Sequence, residues 1–293
     1  EGADEVFGGY NIFKEDKVRR FWARNPQSRL RPQLLRKLYP YITANGAAGN
    51  FWQMFFKRDL TAVDDPYYSH MIRWNNTSQL QRFFSPEMRQ QLNPREHVYG
   101  ELEQYLDADM HRWDPLCRAQ YLEMTLFMSG YLLSSQGDRM MMGHSIEGRF
   151  PFLDHRVVEF ASRIPPEYKL RHLNEKYILK KTFEDIVPMD VVNRSKQPYR
   201  APITPCFTSK ESGITASMLS EKALGESRFL DASGVRRLVE KCTTSGDRQA
   251  SARDDMALAA IVSLQLLQFH FGEGKNTLRR QQLPDTLAAG LIA

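Results

Sequence analysis

The chain has 293 residues, 42% of them hydrophobic and 26% charged, proportions of a globular protein that exclude disordered and fibrous classes. Forty basic against thirty-five acidic residues leave a formal charge of +5, spread along the chain without a basic run interleaved with aromatics, so no nucleic-acid partner is expected. No apolar run reaches the ~20 residues of a membrane-spanning helix, so no membrane partner is expected either.

In chain order, the first segment, Glu1-Gly2-Ala3-Asp4-Glu5-Val6-Phe7-Gly8-Gly9-Tyr10, reads like the middle of a functional loop rather than a leader, and the chain is expected to be a fragment. Phe13, Val18, Phe21 and Trp22 are spaced for one face of a helix running to about Asn25. Leu34, Leu35, Leu38 and Tyr39 predict a second helix, ending near Pro40. Ser85-Pro86-Glu87 is a helix start, with a capping hydroxyl, a first-turn proline and a carboxylate favoured by the dipole. The pattern of Tyr121, Leu122, Thr125, Leu126, Met128 and Leu132 predicts a helix from Pro115 to Ser134.

Asp154 is expected to cap a helix bearing Val157, Val158, Ala161 and Ile164, stopped by Pro165-Pro166. Lys176 to Val187 reads as another helix, ended by Pro188, and Pro198 to Ser217 as a long surface loop. A core helix is predicted from Asp254 to Phe271, with Ser263, Gln265 and Gln268 interrupting its apolar run. Residues 276–293 read as a weakly ordered tail. No convincing alternating strand appears, so the fold is expected to be mainly α-helical, as one body over residues 1–275. Cys117, Cys206 and Cys242 are sparse and lack a CxxC pair, and are expected to be reduced packing thiols of a cytoplasmic protein.

Three stretches carry candidate chemistry. In Glu1 to Tyr10, small residues that let backbone approach a ligand alternate with carboxylates able to hold Mg²⁺. The structural alternative is an acidic helix start closed by a glycine turn. From Gly137 to Asp154, charged residues flank a Met-rich segment expected to be largely buried, so Asp138, Arg139, Glu147 and Arg149 should form ion pairs, and His144 should pack. In Asn193 to Arg200, a loop carrying Arg194, Lys196 and Arg200 can meet phosphate or simply be a solvated basic loop.

Together these stretches resemble the glutamine-dependent asparagine synthetases. That family carries a Ser-Gly-Glu-Gly-small-Asp-Glu-x-Phe-Gly-Gly-Tyr segment, which Glu1 to Tyr10 matches from its glutamate onward. A later Glu-(Ala/Gly)-Arg-x-Pro-Phe-Leu-Asp segment is matched by Glu147 to Asp154, a Lys-x-x-Leu-(Arg/Lys) helix by Lys176 to Lys180, and an Arg-x-Lys loop by Arg194 to Lys196. The resemblance is strong to about residue 200 and weak beyond.

The resemblance implies the C-terminal portion of an α/β PP-loop ATP-pyrophosphatase domain (adenine nucleotide α-hydrolase-like) whose parallel sheet is mostly missing. It implies an ATP-dependent ligase that adenylates the side-chain carboxylate of aspartate and amidates it with ammonia from a glutaminase domain, releasing pyrophosphate and AMP. By carry-over, Asp4 holds Mg²⁺, and Glu1, Gly2, Asp4 and Lys196 contact the nucleotide. Glu1 and Lys196 are catalytic, and Arg139 binds the acid substrate. The family's phosphate-cradling Ser-Gly-Gly-x-Asp-Ser loop does not occur in these residues, so the chain alone should be inactive and should expose apolar helix surface. A homodimer is one option for its assembly. The extension Gln197-Pro198-Tyr199-Arg200-Ala201-Pro202 departs from the simplest members. A related amidotransferase or β-lactam-synthetase-like enzyme acting on another carboxylate is therefore the alternative, and a non-catalytic helical interaction domain is the alternative of another class.

Overall fold

The computed structural model describes residues 1–39, 49–92, 94–194, 196, 206–207, 213–244 and 251–272. Helices supply nearly all the regular structure, and among the described residues two isolated bridges, Phe84 with Leu230 and Arg171 with Asn174, are the only β pairings. The expectation of a mainly helical chain holds. Two compact units emerge, one from Glu1–Asn75 with Glu103–Pro198, the other from Asn76–Leu102 with Tyr199–Ala293.

The first unit is organised on the Asn11–Ala23 helix. Its predicted face is buried through Phe13, Val18 and Trp22, but Phe21 is exposed and lies under the Arg31 guanidinium. The helix is buried beyond that face, enclosing Lys14, Glu15, Asp16 and Arg19. Each of these charges has a partner, as burial demands. Lys14 Nζ lies 2.9 Å from Glu175, Arg73 forks onto Glu15 at 2.5 and 2.6 Å, and Arg20 lies 2.9 Å from Asp16. Arg19, 1% exposed, donates to the carbonyls of Phe56, Tyr68 and Arg58 at 3.2, 3.1 and 2.7 Å and stacks over the Tyr68 ring.

Around this helix, Val18, Trp22, Leu35, Leu38, Phe56, Leu60 and Ile72 form one apolar cluster. Ile12 and Phe13 meet Leu116, Ala119 and Leu170 in a second, and Val6 and Phe7 meet Ala161 and Ile164 in a third. The third cluster seats the first ten residues on the His155–Ser162 helix, which Asp154 caps through the Arg156 N–H at 2.9 Å.

The predicted Pro115–Ser134 helix runs further than expected. An α-helix over Pro115–Leu122 continues as π-helix over Glu123–Asp138 and ends in Arg139–Met142. Thr125, Ser129, Gly130, Ser134, Ser135 and Gly137 hold the α form weakly, and Ser129 Oγ bonds back to the Thr125 carbonyl.

Several expectations are corrected. The Met-rich stretch is not buried. Met140, Met142 and Ile146 are exposed, and His144 is exposed with its ring against the Met140 carbonyl. Glu147 and Arg149 do pair, but in solvent, while no ion partner of Asp138 or Arg139 stands among the described residues. Methionine content does not by itself fix burial, since exposed thioethers are tolerated where flanking glycines and charges keep the segment at the surface. The Lys176–Val187 helix shortens to Tyr177–Thr182, Cys206 is exposed, and part of the expected 198–217 loop is the Gly213–Met218 helix. The rest of that loop, apart from residues 206–207, and the tail at 276–293 lie outside the described residues.

The second unit packs Phe83, Leu224, Leu230, Val235, Leu238, Cys242, Ala257, Leu258 and Ile261. The predicted Asp254–Phe271 helix spans Ala252–Phe271, where Ser251 and Asp254 form a capping box. Ser85 caps Pro86–Gln91 through the Met88 N–H at 3.2 Å. No described helix is long and apolar enough to cross a membrane.

Candidate active site

The first ten residues fold into one helical turn, Ala3–Val6, followed by a glycine turn. Gly2 sits at φ 92°, a left-handed backbone that glycine adopts freely, and the Leu153 side chain fills the space a Cβ would need. Phe7 and Phe152 meet edge to face at 5.9 Å. Two of the sequence stretches singled out for chemistry thus pack directly on each other. The Gly9 N–H donates to the Asp4 carbonyl at 2.7 Å, which closes the turn under the Asp4 side chain.

Asp4 is the centre of the site. Its Oδ1 lies 2.9 Å from Lys176 Nζ, and its Oδ2 lies 2.9 Å from Lys196 Nζ. All three side chains remain partly exposed, at 16%, 26% and 28%, so a ligand from solvent can reach the group. Lys176 adopts φ 51°, which costs an L-residue roughly 1–2 kcal/mol and turns its side chain toward Asp4. The Lys196 ammonium also stands 5.6 Å from the centre of the Tyr10 ring, an attractive cation–π placement.

Beneath the site lies a buried polar layer. The Tyr10 hydroxyl donates to Glu5 Oε1 at 2.6 Å, and Glu5 is wholly buried. Burial raises the Glu5 pKa, against the lowering effect of the Tyr10 bond, and burial plus the Glu5 contact raise that of Tyr10. Gln120 Nε2 donates to the Glu5 and Val6 carbonyls at 2.5 and 2.8 Å, and Lys169 donates to Gln120 Oε1 at 3.3 Å. Burial pulls the Lys169 pKa down. Glu175, also buried, lies 2.9 Å from Lys14 and 3.5 Å from Lys180, and accepts the Lys196 backbone N–H at 3.2 Å.

Around Asp4 and Glu175 the ammonium groups of Lys14, Lys176, Lys180 and Lys196 outnumber the carboxylates. Such a surplus favours a polyanion, and lysine suits phosphate as a compact charge. Among the described residues no cluster of three or more His, Cys, Asp or Glu could ligate a metal by itself. Asp4 fits the narrower demand of Mg²⁺, which takes one or two protein carboxylates and fills its remaining positions with water and phosphate oxygens. Oδ1 of Asp4 is buried 2.9 Å from Lys176 and Oδ2 lies 2.9 Å from Lys196, so a cation on Asp4 would take the place of one of these ammonium groups.

Of the residues read from sequence, the structure brings Asp4 and Lys196 together and seats Gly2 beside them in the same turn. Glu1 is exposed at the head of that turn. Arg139 is exposed at the end of the π-helical stretch, without an ion partner among the described residues. Arg194 is exposed, and Arg200 lies outside the described residues. Two residues were missed. Lys176 was visible as the first lysine of the Lys-x-x-Leu-Lys segment, but its left-handed backbone, which turns it onto Asp4, has no sequence signal. Glu175 had none beyond its place before that lysine.

The family model described as asparagine synthase matches residues 1–270. Asparagine synthetase [glutamine-hydrolyzing] 1 of Bacillus subtilis is 30% identical over 205 residues, 69% of this chain and 30% of the relative. Asparagine synthetase [glutamine-hydrolyzing] 3 of the same organism is 34% identical over 171 residues, 56% of this chain and 28% of the relative. Amidase chyE of Penicillium rubens is 32% identical over 142 residues, 46% of this chain and 21% of the relative. The chain therefore matches under a third of the length of these relatives. No solved structure matches. With the family model covering nearly all of the chain, and the segments that carry the resemblance meeting around Asp4, this chain belongs to the asparagine synthase family.

Proposed function

We propose that the protein of which this chain is part is an ATP-dependent amide-forming ligase that converts aspartate to asparagine, with ammonia drawn from glutamine. The observation that carries the reading is Asp4 held between Lys176 and Lys196, an ammonium-rich, solvent-reachable group assembled from three separated segments.

A carboxylate is a poor acyl donor at neutral pH, and activation supplies a leaving group. A carboxylate oxygen of the acid substrate attacks the α-phosphorus of ATP, the bond to the bridging oxygen of pyrophosphate breaks, and an acyl-adenylate results. The ammonia lone pair then adds to the acyl carbon, and AMP departs with the electrons of the C–O bond. In this scheme Lys196 stabilises charge growing on the transferred phosphoryl group and the acyl oxygen, the kind of preorganised electrostatics that is often the largest catalytic contribution. Lys176 holds Asp4 in register. Glu1, exposed at the mouth, takes a proton from the attacking nitrogen, and Arg139 contributes to binding the acid. Mg²⁺ held by Asp4 would neutralise charge on the pyrophosphate oxygens.

The exposed Met140, Met142, Ile146, Phe152 and Phe160 lie in the stretch that would pack on the parallel sheet of a PP-loop domain. Residues 1–275 are read as belonging to that domain, at work in the cytoplasm, where Cys117, Cys206 and Cys242 stay reduced.

The test is to incubate the full-length protein with ATP, Mg²⁺, aspartate and glutamine, and to measure asparagine, AMP and pyrophosphate. Stoichiometric formation of all three is expected, and no ATP–pyrophosphate exchange by the 293-residue chain alone. A full-length protein that cleaves no ATP to pyrophosphate with any carboxylate would overturn the ligase reading and leave a helical interaction domain. A second reading, amidation of a different carboxylate, is favoured by the extension Gln197-Pro198-Tyr199-Arg200-Ala201-Pro202, which departs from the simplest members of the family. Pyrophosphate release with another acid, and not with aspartate, would select it.

A further inference from the structure

We infer that Glu175 is a positioning residue, which fixes where the Lys196 ammonium stands by holding the main chain of Lys196. The inference rests on the catalytic reading of Lys196 given above. Glu175 is 5% exposed, directly after the short Arg171–Asn174 bridge. Its Oε2 lies 2.9 Å from Lys14 Nζ, and its Oε1 accepts the Lys196 backbone N–H at 3.2 Å. Burial alone would raise the Glu175 pKa, but Lys14, a backbone hydrogen bond and Lys180 together outweigh it and hold the carboxylate below its usual range, so the acceptor is charged at neutral pH. A charged acceptor makes roughly twice as strong a bond as a neutral one.

The two ends of this link differ in rigidity. Lys14 belongs to the Asn11–Ala23 helix, which Arg19 and Trp22 lock into the core of the unit. Lys196 is carried on a long flexible stem, whose ammonium could otherwise sample many places. Glu175 therefore transmits the position of a fixed helix to the backbone that carries this long side chain. The next residue completes the arrangement. Lys176, turned by its left-handed φ, grips Asp4 from the other side. Consecutive residues thus hold one partner each of the Asp4–Lys196 pair, Glu175 by the lysine's backbone and Lys176 by the aspartate's carboxylate.

The experiment uses the full-length protein and a double-mutant cycle. Lys14→Met and Glu175→Leu are introduced together, so that both charges leave and no buried ion is orphaned. Turnover for pyrophosphate release is expected to fall about tenfold or more, with KM for ATP within about twofold, because a catalytic group displaced by ~1 Å is costly. The same pair placed on Lys196→Ala should lower turnover no further. Hydrogen exchange at the Lys196 amide should quicken at least about tenfold as its acceptor is lost. If that double replacement does not fold, Lys14→Met with Glu175→Met, closer to glutamate in length and still without an acceptor, is read by the same turnover and exchange measurements. Should Lys196→Ala cripple turnover while the Glu175 changes spare it, add their full loss to it, or leave the amide protected, the positioning role is wrong and the site reading survives. If Lys196→Ala leaves turnover intact, both fall together.

Discussion

Gly9 has no side chain because Lys176 and Asp4 occupy the space where one would be. A Cβ built at Gly9 would collide with the Lys176 side chain, the Asp4 carboxylate and the Asp4 backbone. The glycine is required here by a neighbour, not by its own dihedral angle, since its φ is not among the positive values of the chain.

Gly9→Ala should therefore force Lys176 off Asp4. Overpacking of this kind costs about 1–3 kcal/mol, so the thermal midpoint should drop by several degrees and turnover of the full-length protein by about tenfold or more. An alanine variant with unchanged melting and turnover would mean that the Asp4–Lys176 contact is dispensable.

The two lysines on Asp4 should not be equivalent. Lys196→Ala in the full-length protein is expected to lower kcat by roughly 10²-fold, by analogy with loss of a preorganised donor to a developing anion. Lys176→Ala is expected to cost about tenfold, because it loosens Asp4 without removing the charge assigned to the transition state. Steady-state pyrophosphate release measures both, and equal losses would assign the two lysines the same role.

Arg19 makes a sharper prediction for stability. Its guanidinium serves three carbonyls at once, two in buried bonds and the Arg58 one in a part-buried bond, a geometry suited to a planar fork. Arg19→Met strips those donors, each worth about 1–3 kcal/mol when lost in the interior, and should cost at least ~3 kcal/mol in urea unfolding. Arg19→Lys should recover only part. A methionine variant as stable as the parent would show that water replaces the donors freely.

Glu5 gives a pH-dependent test. Its folded pKa stands above the ordinary 4.5, because burial disfavours the charged form. The folded state then binds the proton more tightly than the unfolded chain does. The stability this confers is present below about pH 4.5 and is lost as pH rises through the folded pKa. Glu5→Gln, which can still accept from Tyr10, should melt with the parent at pH 4 and a few degrees above it at pH 7. A variant less stable than the parent at neutral pH would mean that the carboxylate is held ionised.

The helical architecture was legible because its signals are local. The caps at Ser85 and Asp154 and the apolar spacing around Phe13, Val18 and Trp22 each require only a few neighbouring residues. The partners of buried charges were not. Nothing near Lys14 announces Glu175, and nothing near Arg19 announces the carbonyls of Phe56 and Tyr68, because these are tertiary contacts between segments distant in sequence. The Met140–Met142 stretch was read inward and lies outward, since composition alone has no direction. Asp4 and Lys196 were paired through the family resemblance, and their approach to 2.9 Å is geometry that no spacing rule supplies.

The Asp4–Lys196 contact joins residues 192 positions apart. During synthesis Asp4 leaves the ribosome first, and its second ammonium follows roughly 10–40 s later at 5–20 residues per second. Lys176 arrives before Lys196, so a nascent chain stalled between them can seat Asp4 yet still lacks the pair. Closure of that pair therefore marks the moment when the whole first unit has been made, and a truncated product would carry its packed helices without this last ion pair.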